Sequence, residues 1–262
     1  MGARSLADGV GHRAAGVWRW WRCAGRRRGR ALQQRGWFAL NRGELAQALQ
    51  AAQALLPLAQ AQADSLLAAD AWHLQALALS LQAQDEAALA AIQQARDGLL
   101  QAGSPRARSE FLGTYGMVLD NCGQHEAAQA QHRRAIALAT EIGYAAQAVV
   151  VSSNLALSLR RSGLLQHALE QLRQAERLRG LHDQLDGPAV NTLPAMALVL
   201  TELGQHGQAL QWCDRAEAHL AQHSPAWLGV VHNHRALCWV QLGQWARATQ
   251  ALEVLQAVYE LA

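Results

Sequence analysis

Four histidines late in the sequence have a spacing that suits metal chemistry. His219 and His223 stand four residues apart, and His232 and His234 follow closely. On a helix, an i, i+4 pair brings two imidazoles onto one face, where they can hold a metal ion. No cysteine or carboxylate completes a familiar ligand set around them, and the eleven histidines are scattered along the chain. They read as solvent-facing polar residues, and neither a metal nor another cofactor is expected. Catalytic signatures are missing as well. The chain has no lysine, so a GxxxxGK[ST] phosphate loop cannot form, and GxGxxG, HExxH and GxSxG do not occur. No nucleophile is paired with a base at a recognisable position, and a protein that is not an enzyme is expected.

The composition shows what must carry the polar residues. Alanine, leucine and glutamine dominate a chain of 262 residues that is 51% apolar, with two Phe and three Tyr. These are good helix formers, and β-branched runs are nearly absent, so the fold class is all-α. The net charge of +3 is unevenly spread. Residues 1–30 hold eight arginines against one acid, Asp8, whereas residues 31–262 hold 15 arginines against 19 acids. The basic balance belongs to the beginning of the chain, and nucleic-acid binding by the remainder is not implied. Residues 1–25 read as a basic Trp/Arg-rich leader, with Trp18, Trp20 and Trp21 beside Arg19 and Arg22. Such a segment could lie on an anionic membrane surface or touch nucleic acid, and it is expected to be a disordered leader. The four cysteines show no CxxC and read as reduced thiols, which suits a cytoplasmic location. No stretch approaches the 18 apolar residues of a membrane span.

From residue 26 to 262 a period dominates. Turn residues recur at Gly43, Ala83, Gly123, Gly163, Gly204 and Gly243, about 40 residues apart. Glycine ends a helix in the left-handed conformation without a Cβ penalty, so the turn at Ala83 is expected to be less sharply set. Seven residues before each turn stands a small residue: Gly36, Ala76, Gly116, Ala156, Ala197 and Ala236. Five after each stands an alanine: Ala48, Ala88, Ala128, Ala168, Ala209 and Ala248. Three or four before each stands a larger apolar residue: Leu40, Leu79, Leu119, Leu159, Leu200 and Trp239. Small residues let paired helices close and large ones fill the space beside them. The pattern predicts helix pairs at about 27–42 with 44–62, 65–82 with 85–101, 106–121 with 124–141, 145–162 with 165–180, 188–203 with 206–222 and 225–242 with 245–261. Pro105, Pro188 and Pro225 fall at helix starts. Pro57 and Pro194 fall inside helices, where each predicts a kink or a later start.

This pattern resembles the tetratricopeptide repeat: small residue, large apolar residue, glycine turn, then alanine, apolar residue and alanine, as in Ala168, Leu172 and Ala175. Its period exceeds the standard 34, as in the long-repeat sensor arrays of bacterial regulators. The resemblance implies a right-handed superhelical solenoid of about six antiparallel helix pairs, whose first helices line a concave binding face. It implies a scaffold or sensor that binds a protein or peptide. It also leaves open a regulatory fragment that controls an absent output domain, such as a diguanylate cyclase or a DNA-binding domain.

Projected onto that face, Gln33, His73, Ser153, Pro194 and Asn233 occupy equivalent positions. Asn41, Arg42, Asp70, Asp120, Asn121, Asn154, Arg160, Asn191 and His234 lie beside them. An asparagine amide both donates and accepts, so it can pair with a peptide backbone. Arg42 and Arg160 could take a carboxylate. In the last helix Leu252, Leu255 and Tyr259 are expected to pack on another subunit, giving a homo-oligomer, or on a lost domain.

Overall fold

A computed structural model describes residues 27–180, 192–223 and 228–260. The leader 1–25, Pro188, Asn191, Pro225 and the side chains of His223 and Tyr259 lie outside the described residues. Among those described, all regular structure is helical: α1 (27–41), α2 (Leu45–Ala61), α3 (Ser65–Leu81), α4 (Asp85–Ala102), α5 (Pro105–Asn121), α6 (His125–Glu141), α7 (Ala145–Arg161), α8 (Leu165–Gly180), α9 (Thr192–Glu202), α10 (His206–His223), α11 (Leu228–Gln241) and α12 (Trp245–Glu260). Odd-numbered helices are the first members of the pairs and even-numbered ones the second. Two compact units divide inside α5, after Thr114. No described helix is long and apolar enough to cross a membrane.

The repeated small residues do the packing expected of them. Ala48, Ala88, Ala128, Ala168 and Ala209 are fully buried, and so are Ala76 and Ala156. In the second unit Leu155, Leu159, Leu169, Leu172, Met196 and Leu200 close around them as one apolar cluster. The first pair departs from the series. Ala39, not Leu40, takes the buried place, and Trp37 and Leu40 pack partly exposed against its cluster.

Gly116 stands against a rigid ring. A Cβ built on it would stand 2.5 Å from Cε1 of His132, whose ring is buried against it. Neither ring nitrogen of His132 has a hydrogen-bond partner, and burial pushes its pKa down to about 4.

The turns are uniform. Gly123 has φ of 74°, its N–H donates to Asp120 O at 3.1 Å, and Gln124 N–H donates to Leu119 O at 2.9 Å. Ala83 adopts φ of 56° with the same two bonds, to Ser80 O at 3.1 Å and from Gln84 N–H to Leu79 O at 3.0 Å. The expected looser turn is therefore corrected: the hydrogen bonds hold alanine in the glycine conformation. A left-handed non-glycine residue costs about 1–2 kcal/mol. Glycine gives back about half of that through its freer unfolded chain. Ala83→Gly is expected to stabilise the protein by up to about 1 kcal/mol, read as a raised thermal midpoint. A lowered midpoint would contradict this account.

Pro57 lies inside α2. Pro194 is the third residue of α9 as described.

Candidate functional site

The first helix of each pair presents one face through positions 13, 10, 6 and 3 residues before the turn. Steps of three or four residues keep these side chains in line. Most of the polar residues expected to bind a partner lie on this face, and the structure gives several of them another task.

Position 10 stitches successive first helices together. Gln33 Nε2–H donates to Asp70 Oδ2 at 2.8 Å, from α1 to α3. His73 Nε2 and Thr114 Oγ1 are 2.9 Å apart, from α3 to α5. Ser153 Oγ and Thr192 Oγ1 are 2.7 Å apart, from α7 to α9. His234 is hydrogen-bonded to the backbone of Pro194, from α11 to α9. The expectation that His73 and Ser153 face a partner is corrected. His73 is 3% exposed, between the edges of Trp37 and Phe111, and Ser153 is fully buried. Burial pushes His73 down to about 4. It does the same to His234, with the charge of Arg160 adding to the shift and the Pro194 bond opposing it. Burial pushes the Asp70 carboxyl up to about 6, helped by Asp64 and Glu110 and opposed by the Gln33 bond.

Positions 3 and 2 before the turn form a ladder of ion pairs in the second unit. Asp120 is 6% exposed and is held by Arg161 of the next pair and by His125 Nδ1 at 2.6 Å. One pair later the same two positions carry the opposite polarity: Arg160 Nη1 meets Glu202 Oε1 at 2.6 Å. Arg160 therefore does take a carboxylate, but one of its own chain. Arg42 pairs with Glu44 at 3.0 Å and stacks over Phe38 at 5.6 Å from the ring centroid. Asn41, Asn121 and Asn233 are exposed, and Asn154, next to Ser153 in α7, is half-buried.

Position 6 before the turn is what the sequence reading missed. It holds Trp37 and Leu77 in the first unit, and Met117, Leu157, Leu198 and Leu237 in the second. All six are large and apolar, and none is fully buried: five are half-buried and Leu237 is 41% exposed. In each unit they form an apolar stripe between the position-10 stitches and the turn end of the helices. The signal was present as a sixth regular column, but a regular apolar column looks the same whether it is covered or open.

His232 and His234 are not brought together. His232 sits 3.7 Å from Glu217 on the helix face opposite His234, and no group of three described His, Cys, Asp or Glu side chains could hold a metal. Cys213 is fully buried, and burial pushes its thiol up to about 12.

No protein-family model matches the chain, and no curated protein matches it. Solved structures do. A Rap protein complexed with competence and sporulation factor aligns with a TM-score of 0.70 at 14% identity, over 89% of this chain and 75% of that one. The Rap conjugation gene regulator of plasmid pLS20, in complex with the Phr* peptide, gives 0.66 at 18%, over 85% of this chain and 61% of that one. The pilF protein of Pseudomonas aeruginosa gives 0.60 at 18%, over 91% and 95%. These likenesses concern the fold: an all-α tetratricopeptide-type array of consecutive helix pairs.

Proposed function

We propose that the chain is a non-catalytic repeat module that binds a peptide or an extended protein segment along its first-helix face. The observation that carries this reading is the position-6 stripe, apolar in every pair and fully buried in none. An exposed apolar row bordered by polar groups gains free energy when a partner covers it. Two of the structures similar in fold are complexes, one with competence and sporulation factor and one with the Phr* peptide, which supports the same choice.

The chemistry favours an uncharged apolar ligand. The ladder residues Asp120, Arg161, Arg160 and Glu202 neutralise one another, so they add border polarity rather than free charge. Asn154 and Asn233 can each donate to and accept from a peptide backbone, fixing its register over Leu157 and Leu237. Packed helices stand about 8–10 Å apart, so four first helices accommodate roughly eight extended residues.

Peptides selected by display against the wild-type protein should bind a Leu157→Asp/Leu198→Asp variant at least about tenfold more weakly, as read by fluorescence anisotropy. Both side chains are already half open, so the helices should survive the change, which circular dichroism checks. Unchanged affinity in a folded variant would place the binding surface elsewhere.

A further inference from the structure

The opposite side of the array differs between its last two junctions. Glu176 of α8 and Arg215 of α10 join neighbouring second helices at 2.8 Å, and the Arg215 guanidinium lies 4.1 Å from the centroid of Trp212. Trp212 packs against clusters containing Leu193, Met196 and Leu200 of α9, each at most 3% exposed. That junction is apolar and closed. One pair later, five of these positions change while the glutamate stays. Glu217 stands in the place of Glu176, but Ala251 and Val254 replace Trp212 and Arg215. His232, Arg235 and Trp239 replace Leu193, Met196 and Leu200. Small groups on the wall and polar groups on the floor leave a cleft of about 350 Å³, lined by these six residues with Arg247 and Gln250.

The charges in the cleft are unequally satisfied. Arg235 is held by Asp214 at 2.8 Å and by Glu217 at 2.7 Å. Arg247 is exposed, stacks 4.8 Å from the centroid of Trp239, and has no acid partner among the described residues. His232 is 4% exposed and its Nδ1 has no hydrogen-bond partner. A guanidinium over an indole, with no acid partner among the described residues and beside the methyl groups of Ala251 and Val254, is complementary to a carboxylate carried on an apolar body. Polar floor residues would be a net cost in a junction meant only to pack.

We propose that this cleft binds a small carboxylate with an aryl or branched alkyl body, the carboxylate on Arg247 and the body against Trp239, Ala251 and Val254. The site faces away from the position-6 stripe, because positions 11, 8 and 4 before the turn lie on the other side of the helix. It stands or falls independently of the peptide-binding reading.

NMR titration of the whole chain with 3-phenylpropionate and N-acetyl-L-phenylalanine tests it, with the corresponding amides as controls. Both acids should shift resonances of α11 and α12 with affinities of about 1 mM or tighter, and the amides should not. Tighter binding of the acetylated residue would assign the site to the last residue of a peptide, and tighter binding of the plain acid to a free carboxylic acid. Arg247→Gln should weaken binding at least about tenfold. Ala251→Trp, which restores the indole found one pair earlier, should abolish binding while the melting curve stays cooperative. Amides that bind as well as acids, no binding by either acid, or unchanged binding by the folded Ala251→Trp variant would overturn the proposal.

Discussion

Lowering the pH from 7 to about 4.5 is expected to remove several kcal/mol of stability, well before general acid denaturation. His73, His132 and His234 are each nearly fully buried, and burial pushes all three from 6.5 to about 4. Between those values the unfolded chain binds protons that the folded chain refuses. Their contribution is therefore complete above about pH 6.5 and is lost as the pH falls toward 4. Each shift corresponds to on the order of 3 kcal/mol. Asp70 acts in the opposite sense. Its folded carboxyl is raised from 3.8 to about 6, so its stabilising effect is greatest in acid and fades as the pH rises through that window. One carboxyl offsets roughly one histidine, which leaves a net loss on acidification. Urea unfolding midpoints at pH 7, 5.5 and 4.5 measure it, and His132→Leu should flatten the curve. Equal midpoints across the series would mean that the buried rings find partners not seen here.

Gly116→Val is expected to cost about 3 kcal/mol, although a valine in a helix interior is intrinsically better than glycine. The propensity gain is at most about 1 kcal/mol. Against it stands the overlap with His132, whose Cε1, Nδ1 and Nε2 all lie within 2.9 Å of where the Cβ would be. An imidazole is rigid, and a fully packed core leaves it nowhere to turn. Truncating the ring removes the conflict, so in a His132→Ala background the same substitution should cost less than about 1 kcal/mol. The four proteins form a double-mutant cycle read by urea unfolding. Costs that simply add would show that the glycine serves some other need. The neighbouring pairs solve the same problem with a different split of volume: Ala76 faces a site held by Ile92, and Ala156 one held by Leu172.

Much of the fold is legible from such columns. A small residue seven before the turn and an alanine five after it can recur only where two helix backbones approach, and all the described ones are buried. Leu40 shows where column reading slips: it stands three residues before its turn, and Ala39, four before, takes the buried place. The polar residues were harder to read. Gln33, His73 and Ser153 share a column and a polar character, which is compatible with a groove. Only packing shows that each has a hydrogen-bonding partner one pair further along. Their partners Asp70, Thr114 and Thr192 stand 37, 41 and 39 residues away, close to one repeat but not in one register, so no fixed spacing announces them.

By itself the sequence determined the all-α class, the repeat length, the turns and the residues at which helices touch. Those are local or periodic matters, set by helix propensity, glycine geometry and side-chain volume. Which columns are covered and which stay open was decided by tertiary structure. Leu77, Met117, Leu157 and Leu198 are as apolar as Leu79, Leu119, Leu159 and Leu200 two residues further along. The latter are buried and the former are not. Hydrophobicity is a property of the side chain, whereas burial depends on which neighbouring helix lies above it.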